Sequence, residues 1–117
     1  MERGRRPRLQ RGGGEAIASL TILYWRDIPS QVIVKAGRQS ARRELSERFI
    51  RAIDAAAIHA HASDADAYLA QWRRSEPTPC GDDLEAEAEA AAQRLETEYD
   101  THRLALLAKH DGRDSPA

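Results

Sequence analysis

One cysteine, one phenylalanine and one methionine occur in 117 residues. A single thiol, Cys80, rules out an internal disulfide and fits a reducing compartment. Structural zinc sites draw on several cysteines, and one cysteine with four scattered histidines argues against such a site. His59 and His61 are two apart, a spacing that puts them on different faces of a helix, so a shared metal is not expected. No apolar run approaches the roughly 20 residues that a membrane-spanning helix needs. The longest, Leu20–Trp25, is interrupted by Thr21. The arginine-rich start, MERGRRPRLQRGGG, has no apolar stretch behind it and does not read as a secretory signal. These absences lead to the expectation of a cytoplasmic protein with no membrane segment, no metal and no cofactor.

Catalytic signatures are missing as well. There is no GxGxxG, no phosphate-binding P-loop, no GxSxG and no HExxH. Carboxylates are plentiful, but none forms a recognisable acid/base pair, so no catalytic residue is assigned.

What is present suits one folded domain. Hydrophobic residues make up 41% and charged residues 32%. The net charge of −1 conceals an asymmetry. Residues 1–51 hold 12 Lys/Arg against 5 Asp/Glu, whereas residues 52–117 hold 6 against 14. The two halves either neutralise each other in the fold or present opposite patches to partners.

Residues 1–16 read as a disordered basic tail, with five arginines before Gly12-Gly13-Gly14. Residues 17–110 read as one α+β domain, and residues 111–117 as a frayed end. Leu20–Arg26 is rich in β-branched and aromatic types and predicts a strand. Gln31–Lys35 alternates polar and apolar and predicts a second. Asp27-Ile28-Pro29-Ser30 between them suits a tight reversal. Three helices are then expected. The first runs from a Ser40 cap to about Ala60, burying Leu45, Phe49, Ala52, Ile53, Ala56 and Ala60. The second opens at Ser63 with Asp66 and reaches about Arg74, with Ala65, Tyr68, Leu69 and Trp72 sharing a face. After the Glu76–Pro79 linker, the third spans about Asp83–Lys109, its stripe running from Leu84 through Leu95 to His102 and Leu106. The expected fold is therefore an antiparallel β-hairpin followed by three helices packed on one face.

A lone hairpin is marginal in water and leaves edges to be covered. Both faces of the first strand look apolar, so a protein partner or a second copy is expected to supply the cover. The candidate interaction surface is the turn Tyr24, Trp25, Arg26, Asp27, Ile28 and Pro29, because Trp and Arg together are typical interface anchors. Trp25 in the core is the alternative. Arg38, Arg42 and Arg43 form a second candidate cluster, placed at the start of the first helix. They could hold nucleic-acid phosphates, though without accompanying aromatic residues. Their placement against a helix dipole instead suggests a local anionic partner, the acidic third helix. Cys80 precedes a helix start, where the dipole favours thiolate, while Asp82 and Asp83 oppose it.

The words YWRDIPSQVIVKAGRQSARRELSERFIRAID, DADAYLAQWRR and CGDDLEAEAEAAAQRLETEYD carry a resemblance. Over about residues 18–106 the chain resembles the small proteobacterial "virulence factor" domain family, related to part of conserved virulence factor C. That resemblance brings no active site. It implies an accessory protein beside corrinoid and folate methyl-transfer enzymes of one-carbon metabolism. The leading expectation is a non-enzymatic protein-interaction module, with nucleic-acid binding by the basic N-terminal half as the alternative.

Overall fold

The computed structural model describes residues 17–114. The expected basic tail, residues 1–16, and the last three residues lie outside them. Among the described residues, five strands and four helices follow in the order β1 Ser19–Trp25, β2 Ile28–Ala36, β3 Gln39–Glu44, α1 Glu47–His59, α2 Ala65–Ala70, β4 Trp72–Arg74, β5 Thr78–Pro79, α3 Leu84–Glu98 and α4 Thr101–Lys109. The α+β class and the strands-first order are as expected. The sheet is larger than a hairpin.

β1 is the centre of that sheet. One edge pairs antiparallel with β2 and the other is shared by β4 and β5, while β3 flanks β2. Both edges of the β1–β2 ribbon are thus closed by the chain's own strands. The premise that an outside partner must complete the hairpin does not hold.

Four local readings change, each for a physical reason. The second helix stops at Ala70 instead of about Arg74, because Trp72–Arg74 pairs with β1 as β4. The reversal sits at Arg26-Asp27, not at 27–30. Ile28, Pro29 and Ser30 already belong to β2, and Trp25 pairs with Ile28. The register slips between Leu23 and Tyr24, leaving Ser30 as the extra residue of a bulge. Pro29 is tolerated there because the ladder is interrupted beside it. Residues 40–44 are strand rather than helix. Gly37, at φ 61°, turns the chain back, and β2's second edge offers a ladder that outweighs the weak local preference of QSARRE.

The long acidic helix is two helices. It stops at Glu98, and Asp100 caps α4 by accepting from the Arg103 amide at 2.8 Å. The break resets the helical phase. Ala88, Ala91 and Leu95 are buried as the stripe predicts, but beyond it Leu104 and Leu107 turn inward while His102 and Leu106 face out. In α1 the expected face holds, with Phe49, Ala52, Ile53 and Ala56 buried.

Registration across the strands sets Leu20 beside Val34 and Ala41, and Ile22 beside Val32 and Arg43. α3 crosses this face, since Arg43 reaches Glu85 at 2.7 Å and Glu89 at 3.1 Å on it. Val32, Val34 and Ala41 join Phe49, Ile53, Ala88, Leu95 and Leu107 in one continuous core. α1 packs along α4. Its N-terminus is tied to α3: Glu96 accepts from the Ser46 amide at 2.6 Å and hydroxyl at 2.9 Å, and pairs with Arg48 at 3.0 Å.

Candidate functional site

Trp25, Ile28 and Pro29 were expected at an interaction surface and are instead interior. Trp25 is 0% exposed, and its indole N–H donates to the Tyr68 carbonyl at 2.9 Å. Ile28 is equally sealed, and Pro29 is among the fully buried side chains. The apolar ribbon end is core because α1, α2 and the C-terminal turn close over it.

Arg26 and Asp27 are spent on that closure. Arg26 has φ 53°, a left-handed conformation unusual for a non-glycine residue. Its guanidinium donates to Gln71 Oε1 at 3.1 Å and to the Asp111 carbonyl at 2.9 Å. The Asp27 amide donates to the Gly112 carbonyl at 2.8 Å, and its carboxylate accepts from the Asp114 amide at 2.8 Å and pairs with Arg73 at 3.0 Å. His59 Nδ1 lies 2.6 Å from Asp111 Oδ1, which holds the Asp111 carboxyl below the usual range. Residues 111–114, expected to fray, are therefore bound to the β1–β2 turn. Tyr24 is half-buried, with the Arg73 guanidinium over its ring at 4.6 Å, and burial pushes its phenol up.

Arg38, Arg42 and Arg43 sit on the β2–β3 turn and on β3, not at a helix start. Arg43 finds the acidic helix as its local partner, through Glu85 and Glu89. Arg42 lies on the opposite face of β3 and donates to Gln31 at 2.9 Å. Arg38 is exposed beside Gly37. The structure thus separates the three rather than assembling a phosphate cradle.

Cys80 does not gain the thiolate stabilisation that a helix start would lend. It lies before Gly81, off the α3 terminus, where burial and then the Glu87 carboxylate push its thiol up. Among the described residues no three of His, Cys, Asp and Glu are grouped to hold a metal. No helix among them is long and apolar enough to cross a membrane.

The feature that sequence reasoning missed lies on α1. Glu47, Ile50, Asp54 and Ile58 follow one another at helical spacing and form a stripe turned away from the core. Ile50 is 39% exposed and Ile58 67%. Two clefts lie along this stripe. The first, of about 490 Å³, is bounded by Ser30, Gln31, Glu44, Glu47, Ile50 and Trp72. The second, of about 410 Å³, is bounded by Asp54, Ala57, Ile58, Ser63 and Tyr68. Tyr68 of the second cleft and Trp72 of the first meet edge to face, ring centroids 5.9 Å apart, so the two clefts adjoin along α1 as a trough. α1 forms one wall, and α2 with β4 forms the other. Leu69, beside Tyr68, is 64% exposed although the helical pattern predicts it inside. The only sequence signal was an excess of apolar residues: α1 carries isoleucines on two faces, and one of those faces has no core to enter.

A family model described as "Virulence factor" matches residues 23–108. The chain belongs to the virulence factor family. Neither the curated proteins nor the solved structures contain a match. The virulence factor match begins within β1, covers the β1–β2 turn, the other strands, the trough and most of α4, and stops short of the 111–114 turn that locks Trp25 in place.

Proposed function

We propose that this virulence factor domain is a non-enzymatic accessory module that binds another protein through the trough along α1. The observation that carries the reading is the pair of exposed isoleucines, Ile50 and Ile58, above an aromatic floor of Tyr68 and Trp72. A cleft of this kind buries apolar side chains of a partner at its centre and leaves a polar rim, the usual anatomy of a protein interface. The edges of the β1–β2 ribbon and the Trp25 turn do not carry the reading, since the fold covers them internally. The enzymes of one-carbon methyl transfer are the partners that the family resemblance suggests.

The test is affinity capture from cells with the intact protein, with Ile50→Asp/Ile58→Asp, and with Arg38→Ala/Arg42→Ala. Both isoleucines are exposed, so the aspartates cost little folding stability. The reading expects a partner retained by the wild type and the arginine variant and lost by the aspartate variant. Capture that is indifferent to the isoleucines, or no partner with any variant, overturns it.

A further inference from the structure

The walls of the trough decide what shape can fill it. α1 and α2 are helices whose backbone N–H and C=O groups are satisfied within themselves, so the walls offer side chains only. An extended peptide adds to a free strand edge by main-chain hydrogen bonds. Of the strands that reach the trough, β4 is three residues long and paired along one edge with β1, while β2 and β3 touch it only where Gln31 and Glu44 are already paired with each other. A segment entering here finds no long ladder to extend, so one whose backbone is satisfied within itself, a helix, suits it best.

Spacing and charge narrow it further. Ile50 and Ile58 lie eight residues apart on α1, about 12 Å at 1.5 Å per residue. A helix laid along α1 presents residues i and i+7 or i+8 at the same interval, one over each cleft. The residues bounding the two clefts include the carboxylates Glu44, Glu47 and Asp54 and no lysine, arginine or histidine. Glu47 is paired with Arg51 at 3.2 Å, while neither Glu44 nor Asp54 is in an ion pair with a described residue. Asp64 and Asp66 add to the negative field on the α2 side. A negatively lined groove with an apolar floor selects a segment of opposite charge.

We infer that the occupant is an amphipathic helix of a partner protein, with two apolar anchors two turns apart and Lys or Arg on its flanks. This rests on the reading of the domain as a protein-interaction module and specifies its ligand. Trp72 and Ile50 receive one anchor, Tyr68 and Ile58 the other. Glu44 and Asp54 face the basic flank.

The experiment titrates the full chain against labelled synthetic peptides of about 18 residues, five helical turns, read by fluorescence anisotropy at low salt. The first peptide has leucines at i and i+7 with Lys/Arg flanks. In the second the flanks are glutamates, and in the third a central proline breaks the helix. The first should bind at least about tenfold more tightly than either, a difference of roughly 1.4 kcal/mol. Ile58→Asp should abolish its binding. Glu44→Lys/Asp54→Lys should weaken the basic peptide and strengthen the acidic one, a swap that misfolding cannot produce. Equal binding of basic and acidic peptides, or indifference to proline, overturns the helix assignment while leaving the isoleucine-dependent capture of a partner intact. A peptide of residues 1–16 of this chain that binds more tightly than the basic helix, and loses binding in Ile58→Asp, overturns it in favour of the chain's own start. Loss of capture altogether fails the module reading itself.

Discussion

Gly112 packs against the six-membered ring of Trp25. A Cβ placed on that glycine would sit 3.1 Å from Cζ3 and 3.3 Å from Cε3, with Ala56 Cβ behind it at 3.5 Å. The glycine's φ is +84°, so its backbone also lies where side-chain-bearing residues are strained. The end of the chain thus forms the lid of the core at the turn that the sequence suggests is an outer surface.

Gly112→Ala should destabilise the domain by about 1–2 kcal/mol, the sum of left-handed strain and a crowded contact. Thermal unfolding followed by circular dichroism should show the midpoint lowered by roughly 4–8 °C per kcal/mol for a domain of this size. An unchanged midpoint would mean that the 111–114 turn contributes nothing to the core.

Trp25→Phe should cost about 2–4 kcal/mol, because it opens a cavity and leaves the Tyr68 carbonyl without its indole donor. Partner capture by the surviving folded protein should be undiminished. A Trp25 variant that folds normally but loses its partner would restore the turn as the interface.

The Glu96 carboxylate supplies a pH dependence. Burial works against its charge, but the Ser46 amide and hydroxyl and the Arg48 guanidinium outweigh burial and hold it below the usual carboxylate range. Its folded value is lower than its unfolded one, near 4.3, so its contribution is complete above that pH. The contribution is lost as pH falls through the depressed folded value. Urea unfolding should show Glu96→Gln less stable than wild type at pH 7 and the gap narrowing below about pH 4. A gap that stays constant down to pH 3 would show that the carboxylate's charge is immaterial.

Cys80 should be a slow nucleophile. With its thiol pushed up by burial and by Glu87, alkylation by iodoacetamide at pH 7.5 should run slower than for free cysteine. Cys80→Ser should leave stability within about 0.5 kcal/mol and partner capture unchanged. Reaction faster than free cysteine would reopen a thiol role.

Much of the fold was legible. Leu20–Arg26 announced a strand by composition, and α1's buried face followed from the spacing of Phe49, Ile53 and Ala56. The acidic partner of Arg43 could be anticipated from charge placement alone. The trough was not legible, because Ile50 and Ile58 differ from core isoleucines only in which way α1 is rolled.

By itself the sequence determined the α+β class and that strands come first, since strand composition and helical periodicity are local properties of the chain. It also determined the balance between a basic first half and an acidic second. Only the tertiary structure decided which apolar residues are interior. Gln39–Glu44 became a strand because β2 had an open edge, and α3 parted from α4 because Asp100 could cap a new helix. Trp25 went inside because β4, Tyr68 of α2 and the turn at Gly112 arrive from distant positions to enclose it. Burial depends on contacts between residues far apart in the chain, and no window along the sequence contains them.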